Sequence, residues 1–206
     1  MKNKFRVTKF WLLLGTVCLC LVPRLSAHSE NVSVYFTGLN NPRGLKFGPD
    51  GNLYVAEGGV GGTTFSTTAE QCEQVPGFPP GPGPYTGDFT ARISKINRHR
   101  VRTTVVDHLP SSQTNKDVGF LVSGVADVAF IGNTLYALIA GAGCSHGLLG
   151  TTNGVIRVNS DGSWKQIADL SAFQKDHPVA NPEPDDFEPD GTWYSMETCV
   201  ACTQMV

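Results

Sequence analysis

Apolar and polar positions along the chain fall into short alternating runs, and the runs recur. Gly38-Leu-Asn-Asn-Pro-Arg-Gly-Leu-Lys-Phe-Gly-Pro-Asp-Gly-Asn-Leu-Tyr-Val-Ala-Glu-Gly-Gly59 is echoed by Ser123-Gly-Val-Ala-Asp-Val-Ala-Phe-Ile-Gly-Asn-Thr-Leu-Tyr-Ala-Leu-Ile-Ala-Gly-Ala-Gly143. Phe47 aligns with Phe130, and Leu53-Tyr54 with Leu135-Tyr136. Each unit is two apolar runs about a tight Gly-Asn or Asp-Gly-Asn turn, the strongest short-range hairpin signal. A second pair of runs follows each unit: Ala91–Asn97 with Val101–Leu109, then Gly154–Asn159 with Ser163–Leu170. In these, Ile93 and Ile96, and later Ile156 and Val158, are separated by polar positions, which predicts half-buried strands. Four antiparallel strands repeated in tandem are the pattern of propeller blades, so the expected class is an all-β propeller. A β-sandwich with a chance internal likeness is the alternative.

The units lie about 82 residues apart, nearly twice a usual blade of roughly 40–50 residues. Residues 58–90 account for the excess, with eight Gly and five Pro, among them Gly77-Phe-Pro-Pro-Gly-Pro-Gly-Pro84. Pro withholds ladder donors and Gly loses entropy on ordering, so this insertion is expected to be a surface loop without ladder pairing. Cys72 falls in it, and Cys144 falls in the loop 141–153 that follows the equivalent strand of the second unit. That equivalence makes Cys72–Cys144 the preferred disulfide, two unpaired thiols being the alternative. Cys199-Val-Ala-Cys202 has the spacing of a redox or metal-binding pair, but it has no second pair and no nearby His. Residues 169–177 predict a short helical turn before Pro178, and Thr192-Trp-Tyr-Ser-Met196 predicts the opening strand of a third blade. The partial propeller is therefore expected over 28–196, about two to two and a half blades, with an anomalous tail at 197–206.

Ahead of these runs, Lys2, Lys4, Arg6 and Lys9 precede an apolar stretch from Phe10 to Val22, followed by Leu25-Ser26-Ala27. This is the order of a secretory signal peptide over 1–27, and the stretch is too short to span a bilayer. Its cleavage would leave 11 basic against 18 acidic residues, a charge of −7, with no membrane span. An acidic exported chain lacks the basic footprint of a nucleic-acid binder. A secreted or periplasmic destination follows, in which Asn31-Val-Ser33 is a glycosylation sequon on a eukaryotic route. Composition agrees with a folded β protein, being 40% hydrophobic with 23 Gly and 13 Pro.

The residues 38–57, the Cys72 loop, Leu109-Pro-Ser, Asp127-Val-Ala-Phe, Ala168-Asp-Leu-Ser-Ala-Phe173 and Phe187-Glu-Pro-Asp-Gly-Thr-Trp-Tyr-Ser-Met196 occur in an order that resembles the ScyD/ScyE family. These are exported, NHL-like, TolB-like six-bladed propellers. The resemblance implies that fold. A ring of six blades at about 40 residues each needs roughly 240 before insertions, so a C-terminal truncation or frame-shift is expected after Met196.

Three residues are candidates for a channel-side or loop-face site. Glu57 closes the second strand, where it could act as a carboxylate ligand or base; otherwise it is a solvated strand-end residue. The Arg43 fork could hold an anion, or pair across neighbouring blades. His146 sits in the second loop between Ser145 and Gly147, with no Ser/His/Asp order to make it catalytic. For metal, Asp186, Glu188, Asp190 and Glu197 with Gly191 follow the spacing of a Ca²⁺ loop, although Glu188 and Pro189 depart from its usual residues. No other cofactor is indicated. The expected function is a non-catalytic exported propeller that binds a small molecule or protein at its loop face. The alternative is an enzyme on the same scaffold, since the 41–57 pattern is also similar to quinoprotein sugar dehydrogenases and, more loosely, to metal-dependent lactonases.

Overall fold

The computed structural model describes residues 32–185 and 187–199. The expected signal peptide, Asn31, Asp186 and Cys202 lie outside the described residues. The chain divides into a unit of residues 1–35 and a unit of residues 36–206. In the first, the described residues 32–35 form no helix or strand.

Among its described residues the second unit holds nine strands: β1 Pro42–Phe47, β2 Leu53–Glu57, β3 Phe65–Ser66, β4 Thr86–Ile96, β5 Arg102–Gln113, β6 Val125–Ile131, β7 Thr134–Ile139, β8 Gly154–Val158 and β9 Trp164–Asp169. One helix, α1 Leu170–Asp176, follows β9 and is capped by the Asp169 side chain, which accepts from the Ala172 N–H. The strands form two antiparallel meanders, β1-β2-β4-β5 and β6-β7-β8-β9, with β3 added along the first half of β4. Their registers match: Ala56 faces Ile93 in the first sheet as Ala137 faces Ile156 in the second. The fold is all-β, and neither sheet closes on itself.

Each opening hairpin forms for the reason its turn predicts. In the first, the Asp50 carboxylate accepts from the Asn52 N–H and side-chain amide, and Gly51 takes φ +72°. That closure pairs Phe47 with Leu53. The alternation of the strands then gives each sheet an apolar face, and Ala56, Ile93, Val106 and Leu109 pack with Val128, Leu135, Ala137 and Ile156 in one core. Tyr54 and Phe130 meet edge to face at 4.9 Å beside it. Phe47, the counterpart of Phe130, is 68% exposed. On the other face of the second sheet Ala126, Leu138 and Ala140 are covered by Val155, Leu170, Trp193 and Met196.

The first strands of the two sheets converge. A Cβ at Gly44 in β1 would overlap Asp127 of β6, and one at Gly124 would overlap the Gly58 carbonyl. The absence of a side chain at both positions is what lets the strands lie this close. Because successive strands alternate in direction, the connections 58–85, 114–124, 140–153 and 170–191 gather at one end, and the tight turns 48–52, 97–101, 132–133 and 159–163 at the other.

Two expectations change. The 58–90 insertion is not free of ladder pairing, since β4 begins at Thr86 and pairs with Phe65–Ser66 of β3. Gly and Pro are concentrated in 76–84, which leaves the flanks of the insertion able to extend the sheet. Residues 192–196 form no strand ladder; Trp193 and Met196 instead pack on the second sheet, and the Met196 N–H donates to Asp127 Oδ2 at 3.0 Å.

Candidate functional site

At the loop end, Cys72 and Cys144 form a disulfide with a Cα–Cα distance of 6.2 Å, joining the two loops as their equivalence predicted. The Thr67 hydroxyl adds a hydrogen bond to the Cys144 carbonyl at 2.6 Å. A single 3-10 turn over Cys144–His146 then directs Ser145 and His146 inward, and both are buried. Gly143 precedes the turn at φ +110°, and a Cβ there would overlap the Asp190 carboxyl group. Glycine thus permits both the backbone shape and the approach of Asp190. The Ser145 N–H and hydroxyl donate to Asp190 Oδ2 at 2.8 and 2.7 Å, and Lys175 Nζ lies 3.3 Å from Oδ1. Burial opposes ionisation of Asp190, but the two Ser145 donors and Lys175 outweigh it and hold its pKa below the ordinary value.

Asn153 ties this corner together. Its amide donates to the Asp190 and Gly191 carbonyls and accepts from the Ala142 N–H, and its own N–H donates to Ser171 Oγ. One buried residue, through its side chain and its backbone N–H, thereby joins the β7–β8 loop, α1 and residues 190–191.

His146 is fully buried beside the Tyr85 ring, with centroids 5.2 Å apart. Its Nε2 stands 3.6 Å from Glu188 Oε2, beyond hydrogen-bond distance. Burial drives its pKa down to about 4, against the pull of Asp190 and the Ala142 carbonyl. At neutral pH it is an uncharged imidazole. The Ser145 hydroxyl is committed to Asp190, so Ser145 and His146 do not form a nucleophile–base pair of the kind acyl transfer requires.

Glu57 is not a solvated strand end. It is buried, with Arg92 bound in a two-point fork at 2.9 and 2.8 Å, the Asn40 N–H at 2.6 Å, and the Ser94 hydroxyl donating as well. Burial opposes its charge, yet Arg92, Asn40 and Ser94 prevail and lower its pKa. Both carboxylate oxygens are occupied by the protein's own donors. Arg43 donates to the Val122 carbonyl, bridging β1 to the connection that leads into β6.

Of the residues proposed for Ca²⁺, Glu188 and Asp190 lie near His146 and Glu197 lies apart. Glu188 accepts from the Tyr85 hydroxyl at 2.8 Å, Asp190 faces Ser145, and the exposed Glu197 lies 3.8 Å from Lys46. Among the described residues no group of three His, Cys, Asp or Glu is arranged to hold a metal ion. Cys199 is disulfide-bonded, which removes it as a thiolate ligand. The structure thus brings together His146, Glu188, Asp190 and the Cys72–Cys144 bridge, and leaves Glu57, Arg43 and Glu197 in separate contacts.

Sequence reasoning missed Arg92, Ser94, Tyr85 and Asn153. Arg92 was legible in principle, since it stands in the strand that pairs with Glu57. Tyr85 and Asn153 act across loops whose path no periodicity reveals. Two cavities open beside the cluster, of 360 Å³ between α1 and residues 187–193 and of 210 Å³ next to Cys72 and Asp190. No family model, curated protein or solved structure matches the chain. Among the described residues no helix is long and apolar enough to cross a membrane.

Proposed function

We propose that the chain is part of an exported six-bladed β-propeller of the ScyD/ScyE kind, which binds a small molecule or protein at its loop end without catalysing a reaction. The observation that carries this reading is the close convergence of β1 and β6 at Gly44 and Asp127, with every long connection at one end of the two meanders. Successive blades around a channel need that convergence, and loops at one end of such a scaffold are where binding surfaces are built. The Cys72–Cys144 bridge supports an oxidising destination, secreted or periplasmic. Supporting a binding role over an enzymic one, Glu57 is saturated by internal donors and Ser145 is bonded to Asp190.

The test is a thermal-shift screen of the oxidised chain against neutral, cationic and anionic small molecules, run beside a dye-reduction assay with added quinone, Ca²⁺ and a sugar panel. At least one class should raise the melting temperature, with no sugar-dependent dye reduction. Turnover would replace this reading with the quinoprotein alternative; no stabilisation by any class would remove small-molecule binding.

A further inference from the structure

The two ends of the sheets carry opposite charge. Within two residues of the tight turns stand Lys46, Lys95, Arg98, Arg100 and Arg102 in the first sheet and Arg157 and Lys165 in the second. The same windows hold two acidic residues, Asp50 and Asp161, so the balance at this end is +5. The four long connections at the opposite end carry nine acidic residues against Lys116 and Lys175, a balance of −7. A chain that is acidic as a whole thus has one basic end. The charge is densest at the β4–β5 turn, since residues 93–106 include four basic residues and no acidic one. That turn is fixed by Asn97, whose carbonyl accepts from the Arg100 N–H and whose side chain accepts from the His99 and Val101 N–H groups. Arg98, His99 and Arg100 are exposed on it. The β8–β9 turn lies against the neighbouring strand: a Cβ at Gly162 would stand 2.9 Å from the Val105 carbonyl oxygen. Arg157 and Lys165 therefore share this end with the arginines of the first sheet. The acidic groups here engage the lysines, Asp50 at 3.8 Å from Lys95 and Glu197 at 3.8 Å from Lys46.

Apolar side chains are exposed at the same end. Phe47 and Ile131 are the last residues of β1 and β6, Val101 lies within the β4–β5 turn, and Trp164 opens β9. Each sits in or beside a tight turn, among the basic residues. Charges spread across the ends of two sheets suit an extended anionic surface better than one small anion. Nucleic acid or an acidic polysaccharide would answer those charges but has no use for exposed Val, Ile and Phe. A bilayer surface takes both: its headgroups attract Lys and Arg, and its acyl boundary accepts apolar and indole side chains. We infer that the turn end docks on an anionic lipid surface, its basic residues against the headgroups and Val101, Ile131, Phe47 and Trp164 reaching toward the acyl boundary. The charge asymmetry sets the orientation, because the same surface repels the acidic loop end and leaves it facing solvent. This docking crosses no bilayer and does not depend on what the loop end binds.

The processed chain, residues 28–206, is mixed with vesicles of phosphatidylcholine alone and of equimolar phosphatidylcholine and phosphatidylglycerol, and bound protein is separated by flotation. Without residues 1–27, their apolar stretch adds nothing to the signal. Binding to the anionic vesicles is expected, weakened by added salt and about tenfold or more above that to phosphatidylcholine. A Lys or Arg at such a surface raises affinity about fivefold, so Arg98→Gln should weaken binding by about that factor. Adding Arg100→Asn should bring the loss to about 20-fold, and Asn suits the φ of +60° at that position. Lys116→Gln removes the same charge at the loop end and should leave binding unchanged. Val101→Ser with Ile131→Ser should weaken it several-fold, and every variant should melt as the parent does. Equal binding to both kinds of vesicle, binding to neither, or equal losses in Arg98→Gln and Lys116→Gln would overturn the inference. Duplex DNA and dextran sulfate are run alongside. Binding to either as tightly as to anionic vesicles, untouched by the Val101 and Ile131 changes, would overturn it in favour of that polyanion. None of these outcomes bears on the thermal-shift screen of the loop end.

Discussion

Replacing His146 with Met should make the protein more resistant to acid. The imidazole is fully buried, with Glu188 at 3.6 Å, the Tyr85 ring against it, and Asp190 and the Ala142 carbonyl nearby. Burial disfavours a ring proton more strongly than Asp190 and the Ala142 carbonyl favour it, leaving the pKa at about 4 against an ordinary 6.5. With the folded pKa below the unfolded one, the unfolded chain holds more protons between those values. Acid therefore draws the equilibrium toward unfolding across that window. The depression from 6.5 to about 4 corresponds to ~3 kcal/mol of stability present at neutral pH and lost by the lower pKa. Met fills a similar volume, carries no ring nitrogen to leave unpaired and does not titrate, so the variant should be within ~1 kcal/mol of the parent at neutral pH. Urea unfolding followed by fluorescence at about pH 7, 5.5 and 4.5 would give each stability by linear extrapolation. The parent should fall steeply over that series, and His146→Met only shallowly. Parallel falls, or a parent that gains stability on acidification, would refute the assignment of a neutral buried imidazole.

Removing the disulfide with Cys72→Ala and Cys144→Ala should cost ~4 kcal/mol in the chain-entropy account, because the bridge spans a sequence separation of 72; equal urea midpoints for variant and oxidised parent would contradict this. Glu57→Gln leaves Arg92 and its partly buried charge without a counter-ion, and should lower stability by about 2–3 kcal/mol, below the loss for a fully buried pair because Arg92 reaches solvent. Since the Glu57 pKa is lowered, its contribution is complete above the ordinary carboxylate range and disappears as pH falls through the folded pKa; Glu57→Gln should flatten the acid limb there. Gly44→Ala places a methyl group in Asp127 and should destabilise by about 1–3 kcal/mol through overpacking, read as a lowered melting temperature, whereas Gly77, where a Cβ would meet its neighbours at 3.8 Å and the backbone is not left-handed, offers a control for the general cost of losing a glycine.

The strands were legible because their signals are local. Alternation at Ile93, Ile96, Ile156 and Val158 and the Asp-Gly-Asn and Gly-Asn turns are written within a few residues, and the matching registers of the two sheets follow from them. The Cys72–Cys144 pairing was legible through the repeat, which placed both residues after equivalent strands. The start of β4 and the end of β5 were read short, since Thr86, Gly87 and Asp88 are polar or small yet are held in the ladder by pairing with Gln113, Ser112 and Ser111. The site was legible only as isolated residues. Glu57 reads as an exposed carboxylate until Arg92, Ser94 and Asn40 are brought to it from elsewhere, and the Asp190 approach depends on Gly143, 47 positions earlier in the chain. Contacts at that separation are decided by loop paths, which carry no hydrophobic period.

The unequal surroundings of Phe47 and Phe130 bear on how the chain behaves in a test tube. Phe130 has Tyr54 against its ring, while Phe47 and its neighbour Leu45 are 68% and 60% exposed. The first sheet thus presents to water the kind of apolar ridge that the second sheet keeps covered. Preparations should be retained on phenyl resin at moderate ammonium sulfate, light up environment-sensitive dyes while still folded, and lose colloidal stability as salts that favour apolar burial are added. A single Phe47→Lys change, at a position that touches no part of the loop end, should shorten retention and extend shelf life without altering the melting transition.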